Sequence, residues 1–208
     1  MKVSYAITVC NEKKEVKLLL DYLLNKKDEK DEIVVLFDSK GGDDDTHTML
    51  KKFDKLDGIT LYTDEFDGHF ANWKNKLTDL CTGDFIFQID ADEMTPEVLI
   101  KNIHYILENN PDAEVYKVSR INTVKGITTQ HIAKWGWRVN DKGWINFPDY
   151  QMRIYKKSPE IRWVNKVHEV LTGYKVFAML PANGDYSLRH PKTIDRQEKQ
   201  NAFYETLQ

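Results

Sequence analysis

Cysteine and glycine are both scarce in this chain of 208 residues, and each scarcity closes off a class of function. The two cysteines, Cys10 and Cys81, stand far apart and lack the paired spacing of a zinc site or a disulfide framework. They read as small buried residues of a reducing compartment. The ten glycines include no Gly-x-Gly-x-x-Gly after the first apolar run and no glycine-rich Lys-Ser/Thr loop. That sets aside nicotinamide-type hydride transfer and P-loop kinases. No apolar run is long enough to cross a bilayer, and the first one, Val3 to Val9, is too short for a signal peptide. The expectation is a soluble, cytoplasmic protein with one α/β domain over residues 1–208, divided into halves at about 110.

Charge is nearly balanced, at −3 overall, but not along the chain. Residues 1–133 carry 17 Lys/Arg against 25 Asp/Glu, whereas 134–175 carry 9 against 4, a net of +5. Four of the five tryptophans (Trp135, Trp137, Trp144 and Trp163) lie in that basic window. Such a segment suits either a surface for a polyanion or sugar, or core-filling indoles among solvated cations.

The first half alternates strand and helix patterns. Val3 to Val9, Ile33 to Phe37, Ile59 to Tyr62 and the run ending at Asp90 are short, apolar and β-rich. Between them lie helical patterns carried by Val16, Leu19, Leu20, Leu23 and Leu24 with Asn11 as cap, by Met49, Leu50 and Phe53, and by Phe70, Trp73, Leu77 and Leu80. A fourth helix follows, with Thr95 as N-cap, Pro96 at its first position and Leu99, Ile103, Ile106 and Leu107 inward. This order predicts a Rossmann-like, mostly parallel sheet with helices on both faces. Beyond residue 111 the reading is a smaller mixed β region, with strands at Val115–Ile121, Gln151–Tyr155 and Val170–Phe177 and a last helix at Thr193–Leu207.

Ligands on such sheets sit beyond the carboxyl ends of the strands. There the run Phe85-Ile86-Phe87-Gln88-Ile89 breaks into Asp90-Ala91-Asp92-Glu93. Residues two apart on a strand share a side, so either Asp90 and Asp92 converge and a divalent cation relieves their repulsion, or the run is a solvated acidic turn leading into a helix, with Asp92 or Glu93 near its N-terminus. All-oxygen ligation favours Mg²⁺ or Mn²⁺.

Six pieces then occur in one order: Thr8-Val9-Cys10-Asn11-Glu12; Glu32 to Ser39 with Asp45-Thr46; Lys74-Asn75; Thr82-Gly83-Asp84-Phe85; Asp90-Ala91-Asp92-Glu93; and Val167-His168-Glu169. Over about residues 3–206 the chain resembles family 2 glycosyltransferases of the GT-A fold, especially small enzymes similar to lipopolysaccharide-core β-glucosyltransferases. The resemblance implies an inverting, metal-dependent transfer from a nucleotide sugar, most often a UDP-sugar. It implies that Asn11, Glu12, Asp38 and Ser39 line the nucleotide pocket, with Lys74 (in place of a more usual arginine) and Asn75 near the diphosphate or base. Asp92 and, in part, Asp90 would hold Mn²⁺ or Mg²⁺, with His190 completing the shell. Glu169 would be the base that takes the acceptor proton, with Asp149 in reserve. Arg153 and the segment Trp135–Trp144, with Gly136 and Gly143, would border the diphosphate and acceptor.

The ending from His190 to Asn201 is similar to glycosyltransferases of tailed phages, some of which glycosylate hydroxymethylated pyrimidines in DNA. The acceptor is therefore expected to be a saccharide or a modified DNA base, in a bacterial or phage-infected cytoplasm. The alternatives are a non-catalytic nucleotide-sugar or saccharide-binding module on the same fold, and a nucleotidyltransferase.

Overall fold

A computed structural model describes residues 1–207. Four strands, β1 (Val3–Val9), β2 (Glu32–Asp38), β3 (Ile59–Asp64) and β4 (Phe85–Asp90), alternate with helices α1 (Lys13–Lys26), α2 (Asp44–Phe53), α3 (Phe70–Leu80) and α4 (Glu97–Glu108). After these come β5 (Val115–Lys125), α5 (Thr129–Trp135), β6 (Ile145–Lys156), β7 (Arg162–Val164), β8 (Val170–Thr172), β9 (Phe177–Met179), β10 (Leu188–Thr193) and α6 (Ile194–Leu207). The main sheet runs β10-β5-β6-β4-β1-β2-β3, with β9 pairing β5 below β10. All of its pairings are parallel except those of β6, which runs antiparallel to both β4 and β5. Because β6 reverses direction, β5 and β10 again point the same way as β4. The carboxyl ends of β1, β2, β4, β5 and β10 thus open at one edge.

The alternation of side chains sorts the core into two layers. Val3, Tyr5, Ile7 and Val9 of β1 face α1, α2 and α4, where Leu19, Leu20, Leu50, Leu99 and Ile103 are buried. Ala6, Val34, Leu36 and Ile86 face Ala71, Trp73 and Leu77 of α3. Trp163 of β7 joins this second layer, its indole N–H donating to the Tyr155 hydroxyl at 3.1 Å. It is therefore a core residue, whereas the other three tryptophans of the basic window are half-exposed.

Several local expectations give way to geometry. Glu12, not Asn11, stands at the N-cap of α1, because its carboxylate folds back onto the amides of Cys10 and Asn11 at 2.9 and 3.1 Å. Pro96 itself is the N-cap of α4; Thr95 lies outside the helix, buried, and its hydroxyl has no partner. The expected strand Val170–Phe177 is split at Gly173 (φ 83°), so that β8 pairs β7 in a separate ribbon and β9 joins the main sheet. Three elements went unread, among them β7, which is only three residues long. Helix α5 buries nothing and so shows no apolar stripe, although Thr128 and His131 form a capping box. Strand β10 contains Pro191, and Pro argues against a strand; here β10 is an edge strand, where proline is tolerated.

Candidate active site

At the carboxyl edge, β1 and β2 end in a tight polar corner. The Asp38 carboxylate is buried and accepts from the amides of Lys40 (2.9 Å) and Phe66 (3.1 Å), which joins the loops after β2 and β3. A Cβ added at Gly41 would sit 2.6 Å from Asp38 Oδ2, so only glycine lets the chain pass this close. Ser39 donates from its amide and hydroxyl to the Asp64 carbonyl. Asn11 and Ser39 are exposed beside these buried carboxylates. Burial pushes the Glu12 carboxyl above its ordinary range, against the pull of the Cys10 amide and Arg196.

The acidic run after β4 does not behave as a strand. β4 ends at Asp90, and the chain turns so that the Glu93 amide donates to the Asp90 carbonyl (2.9 Å) and the Asp90 amide to Glu93 Oε2 (3.2 Å). Asp90 and Asp92 consequently take different partners, Asp90 meeting Arg153 and Lys74 and Asp92 meeting His190, while the Asp90 charge still acts on Asp92. Arg153 of β6, almost fully buried, donates through Nη2 to Asp90 Oδ2 and to Glu93 Oε1, both at 2.6 Å. Lys74 of α3 stands 3.7 Å from Asp90 and 2.5 Å from Glu169. Burial alone would raise the Asp90 carboxyl; Arg153 and Lys74 overcome it and hold the group far below the usual carboxylate range. The Asp90 carboxylate is thus already compensated by two side-chain cations, and a role as direct metal ligand loses its electrostatic motive.

Asp92 turns the other way. Its Oδ2 lies 3.2 Å from His190 Nε2, 3.4 Å from Arg196 and 3.9 Å from Lys192. Burial works against its charge, and the His190 contact prevails, holding the carboxyl at about 2. A chain of hydrogen bonds behind His190 decides what its ring can do. Asn122 of β5 donates from Nδ2 to Asp149 Oδ2 at 2.8 Å, which orients its amide oxygen toward His190 Nδ1, 2.7 Å away. Nδ1 must therefore carry the proton. In the neutral ring Nε2 then presents a lone pair to a carboxylate at 3.2 Å, and two such acceptors face each other stably only when the ring is protonated or a cation lies at both. This buried Asp–Asn–His relay is the outer support that metal-bound histidines generally have. Among the described residues no three His, Cys, Asp or Glu groups close into a metal cage. The Asp92–His190 pair fits a cation that keeps most of its positions for water and phosphate.

Of the two carboxylates expected to act as base, Asp149 is spoken for. It accepts from Arg120 Nε (2.9 Å), Asn122 (2.8 Å) and Gln151 (2.7 Å); burial would raise its carboxyl, but Arg120 and these hydrogen bonds lower it. Glu169 is mostly buried and has Lys74 as its one ion-pair partner among the described residues. The turn before it carries left-handed residues at Asn165 (φ 78°) and His168 (φ 54°), which aim Glu169 back toward α3. Asn75 lies next to Lys74, but both ends of its amide are bonded to the Trp163 backbone at 2.9 Å. It ties α3 to β7, with one N–H and one oxygen lone pair of the amide left over.

Arg120, Asn122, Glu93, Lys192 and Arg196 complete the cluster and were not singled out in the sequence. β5 mixes polar and apolar residues, so Arg120 and Asn122 did not stand out, whereas Lys192 follows His190 at the two-residue spacing of one strand face, a legible signal. Around the opening, α5 and the loop after it carry half-exposed Trp135, Trp137 and Trp144. The first two rings lie 4.7 Å apart, and Lys142 sits over Trp144 at 5.0 Å. Gly136 (φ 62°) ends α5 in the left-handed region, and Gly143 (φ 74°) turns the loop back toward β6.

The fold is shared with known enzymes. The chain superposes on TarS of S. aureus with a TM-score of 0.62 at 15% identity, covering 98% of this chain and 39% of that one. On residues 1–349 of TarS in complex with UDP the TM-score is 0.61 at 15% identity, over 92% of this chain and 60% of that one. With the same fragment bound to UDP-GlcNAc it is 0.58 at 16% identity, over 92% and 59%. The chain thus spans between about two fifths and three fifths of the length of these structures, and at such identities the likeness speaks for the GT-A fold alone. The sequence profile of glycosyl transferase family 2 matches residues 4–177, from the first strand through β9. With most of its length so matched, the chain belongs to glycosyl transferase family 2.

Proposed function

We propose that this protein is a metal-dependent, inverting glycosyltransferase that moves a sugar from a nucleoside diphosphate, UDP in the first instance, to an acceptor hydroxyl. The observation that carries this reading is the Asp92–His190 pair, held by the Asn122–Asp149 relay at the carboxyl edge of the sheet, with Glu169 a short way off across Lys74. Asp92 and His190 would hold Mn²⁺ or Mg²⁺, which when bound supplies positive charge to the leaving diphosphate.

The remaining work falls to the chain's own groups. Asp38, with Asn11, Glu12 and Ser39, lines the nucleoside end. Arg153 holds the Asp90 and Glu93 carboxylates in place through hydrogen bonds, so the turn bearing Asp92 does not wander. Glu169 takes the proton from the acceptor hydroxyl as its oxygen bonds to the anomeric carbon, while the bond from that carbon to the diphosphate oxygen breaks and its electrons leave with the nucleotide. Asp149 is not the base: every strong donor nearby already holds it, and its carboxyl is stabilised as an anion.

For the acceptor, a saccharide is our first reading. Of the nine cations in the basic window, Lys134, Arg138, Lys142, Lys156, Lys166 and Lys175 are exposed, and three are engaged within the protein. Arg153 is buried against carboxylates, Arg162 pairs with Asp79 and Lys157 donates to the Cys81 carbonyl. In the flap, half-exposed Trp135, Trp137 and Trp144 alternate with exposed Lys134, Arg138 and Lys142, and indole faces suit the apolar side of a sugar ring. A hydroxymethylated base in phage DNA becomes an outcome of the test. Binding to duplex DNA that weakens steeply with salt would favour it, and absent or salt-indifferent binding leaves the saccharide ahead.

The first experiment is a melting-temperature panel of nucleoside diphosphates with and without Mn²⁺. A ligand at about 100 times its dissociation constant stabilises by roughly 2.7 kcal/mol. A Mn²⁺-dependent rise with UDP that Asp92→Ala abolishes supports the donor and metal assignment; no rise with any nucleotide refutes it. Glu169→Gln should keep that rise and lose transfer by a factor of roughly 10² or more, whereas a binding module would have no transfer to lose.

A further inference from the structure

Arg196 is placed where its own helix does not favour it. It lies in the first turn of α6, where the helix dipole is positive and a cation is destabilising. Its reward is acidic: Nη2 stands 3.4 Å from Asp92 Oδ2 and 3.6 Å from Glu12 Oε1, and Nη1 is 2.9 Å from Glu15. Asp92 Oδ2 is the same oxygen that faces His190. The guanidinium therefore spans from the nucleotide corner, at the start of α1, to the carboxylate expected to carry the cation. α6 is held over the opening at its other end by Tyr204, whose ring packs on Phe70 of α3 and on His168 next to Glu169.

From this geometry we infer that Arg196 is a charge placeholder and donor-binding residue: it neutralises Asp92 and Glu12 when the site holds no donor, and turns to the diphosphate when donor and cation arrive. The inference rests on the proposed metal-dependent reading and adds a residue which that reading does not contain. Two carboxylates, Asp92 and Glu12, raise each other's cost, as burial and the nearby Asp92 charge do for Glu12. A divalent cation on Asp92 removes the need for the guanidinium there. Arg196 is about one third exposed, so its side chain has room to move, and the incoming diphosphate offers it two negatively charged groups in reach of one planar fork.

The consequence is a pair of effects with opposite sign. With Arg196→Gln, Mn²⁺ alone should bind more tightly, because a competing cation is gone, while UDP in saturating Mn²⁺ should bind more weakly, because a diphosphate partner is gone. Each change is expected at roughly three- to tenfold, the scale of one or two half-exposed ion pairs. Arg196→Lys, which keeps the charge, should hold the Mn²⁺ constant near the native one. Mn²⁺ binding is read directly from the signal of free Mn²⁺ in electron paramagnetic resonance, and UDP binding by calorimetry on the intact chain. Arg196→Met, which keeps the aliphatic stem, serves as a second folded variant, and circular dichroism reports whether α6 persists.

A merely structural ion pair would move both constants the same way or neither, and that result overturns the inference while leaving the metal reading intact. Asp92→Asn separates the two failures. It must abolish Mn²⁺ binding; if Mn²⁺ still binds, or never binds the native chain, the metal reading falls and the role of Arg196 falls with it.

Discussion

Replacing Arg153 by Met should cost more stability than any surface charge in this protein. The guanidinium is 3% exposed and reaches Asp90 and Glu93 at 2.6 Å each. Met keeps the stem's volume but leaves the Glu93 side chain, which is wholly buried, with Arg120 at 3.4 Å as its one cation among the described residues, besides the Asp90 amide at 3.2 Å. Asp90 is left with Lys74 at 3.7 Å, itself shared with Glu169. Breaking a buried pair from one side costs about 3–5 kcal/mol, since a desolvated charge loses its partner. For a chain of this size each kcal/mol is worth about 2–4 °C, so the midpoint should fall by roughly 6–20 °C. Urea denaturation at pH 7 measures the free energy, and the slope with denaturant checks that the unfolding remains two-state. Glu93→Gln on the Arg153→Met background should recover part of the loss, because it removes one of the stranded charges. If Arg153→Met lies within 1 kcal/mol of the native protein, the argument that these carboxylates depend on Arg153 for their burial is wrong.

Glu32 predicts an acid-sensitive seam. Burial would raise its carboxyl, but hydrogen bonds from Lys2, Ser4 and Thr82 hold it at about 2. A depressed carboxyl contributes stability that is fully present above about pH 4.5 and lost as pH falls through about 2. With Lys2 partly in solvent this is worth roughly 1–2 kcal/mol, so the penalty of Glu32→Gln in urea should shrink between pH 5.5 and pH 2.5; an unchanged penalty would sink the assignment. Asn75→Ala strands the Trp163 amide and carbonyl and should cost about 1–3 kcal/mol without changing UDP affinity, and a weakened nucleotide constant at equal stability would show that Asn75 does meet the donor. Gly173→Ala puts a Cβ against the Glu160 carbonyl at a left-handed position and should cost more than about 2 kcal/mol by urea denaturation; a neutral substitution would mean the β7–β8 ribbon yields easily.

The sequence alone determined the parallel half of the sheet. Strands buried on both faces must be nearly all apolar and helices on such a sheet must show a 3.6-residue stripe, so β1, β2 and β4 and the helices between them announce themselves locally, while the edge strand β3 shows a shorter run. The same holds for the presence of a carboxylate cluster where β4 ends, because an abrupt change from Phe85–Ile89 to Asp90–Glu93 needs no neighbour to be noticed. Only the tertiary structure decided what each acidic side chain does. Whether Asp90 serves a cation or an arginine depends on β6, sixty residues on, delivering Arg153 to its side. Whether Asp149 is free or spent depends on Arg120 and Asn122 across an antiparallel pairing. That Nε2 of His190, and not Nδ1, is the nitrogen turned to Asp92 without a partner behind it comes from an Asn122 amide whose direction Asp149 sets. Trp163 and Trp144 look alike in the chain, yet one fills the core and the other lines the opening. Propensity and pattern are local properties of the chain, whereas charge compensation and access to solvent belong to pairs of residues that folding brings together.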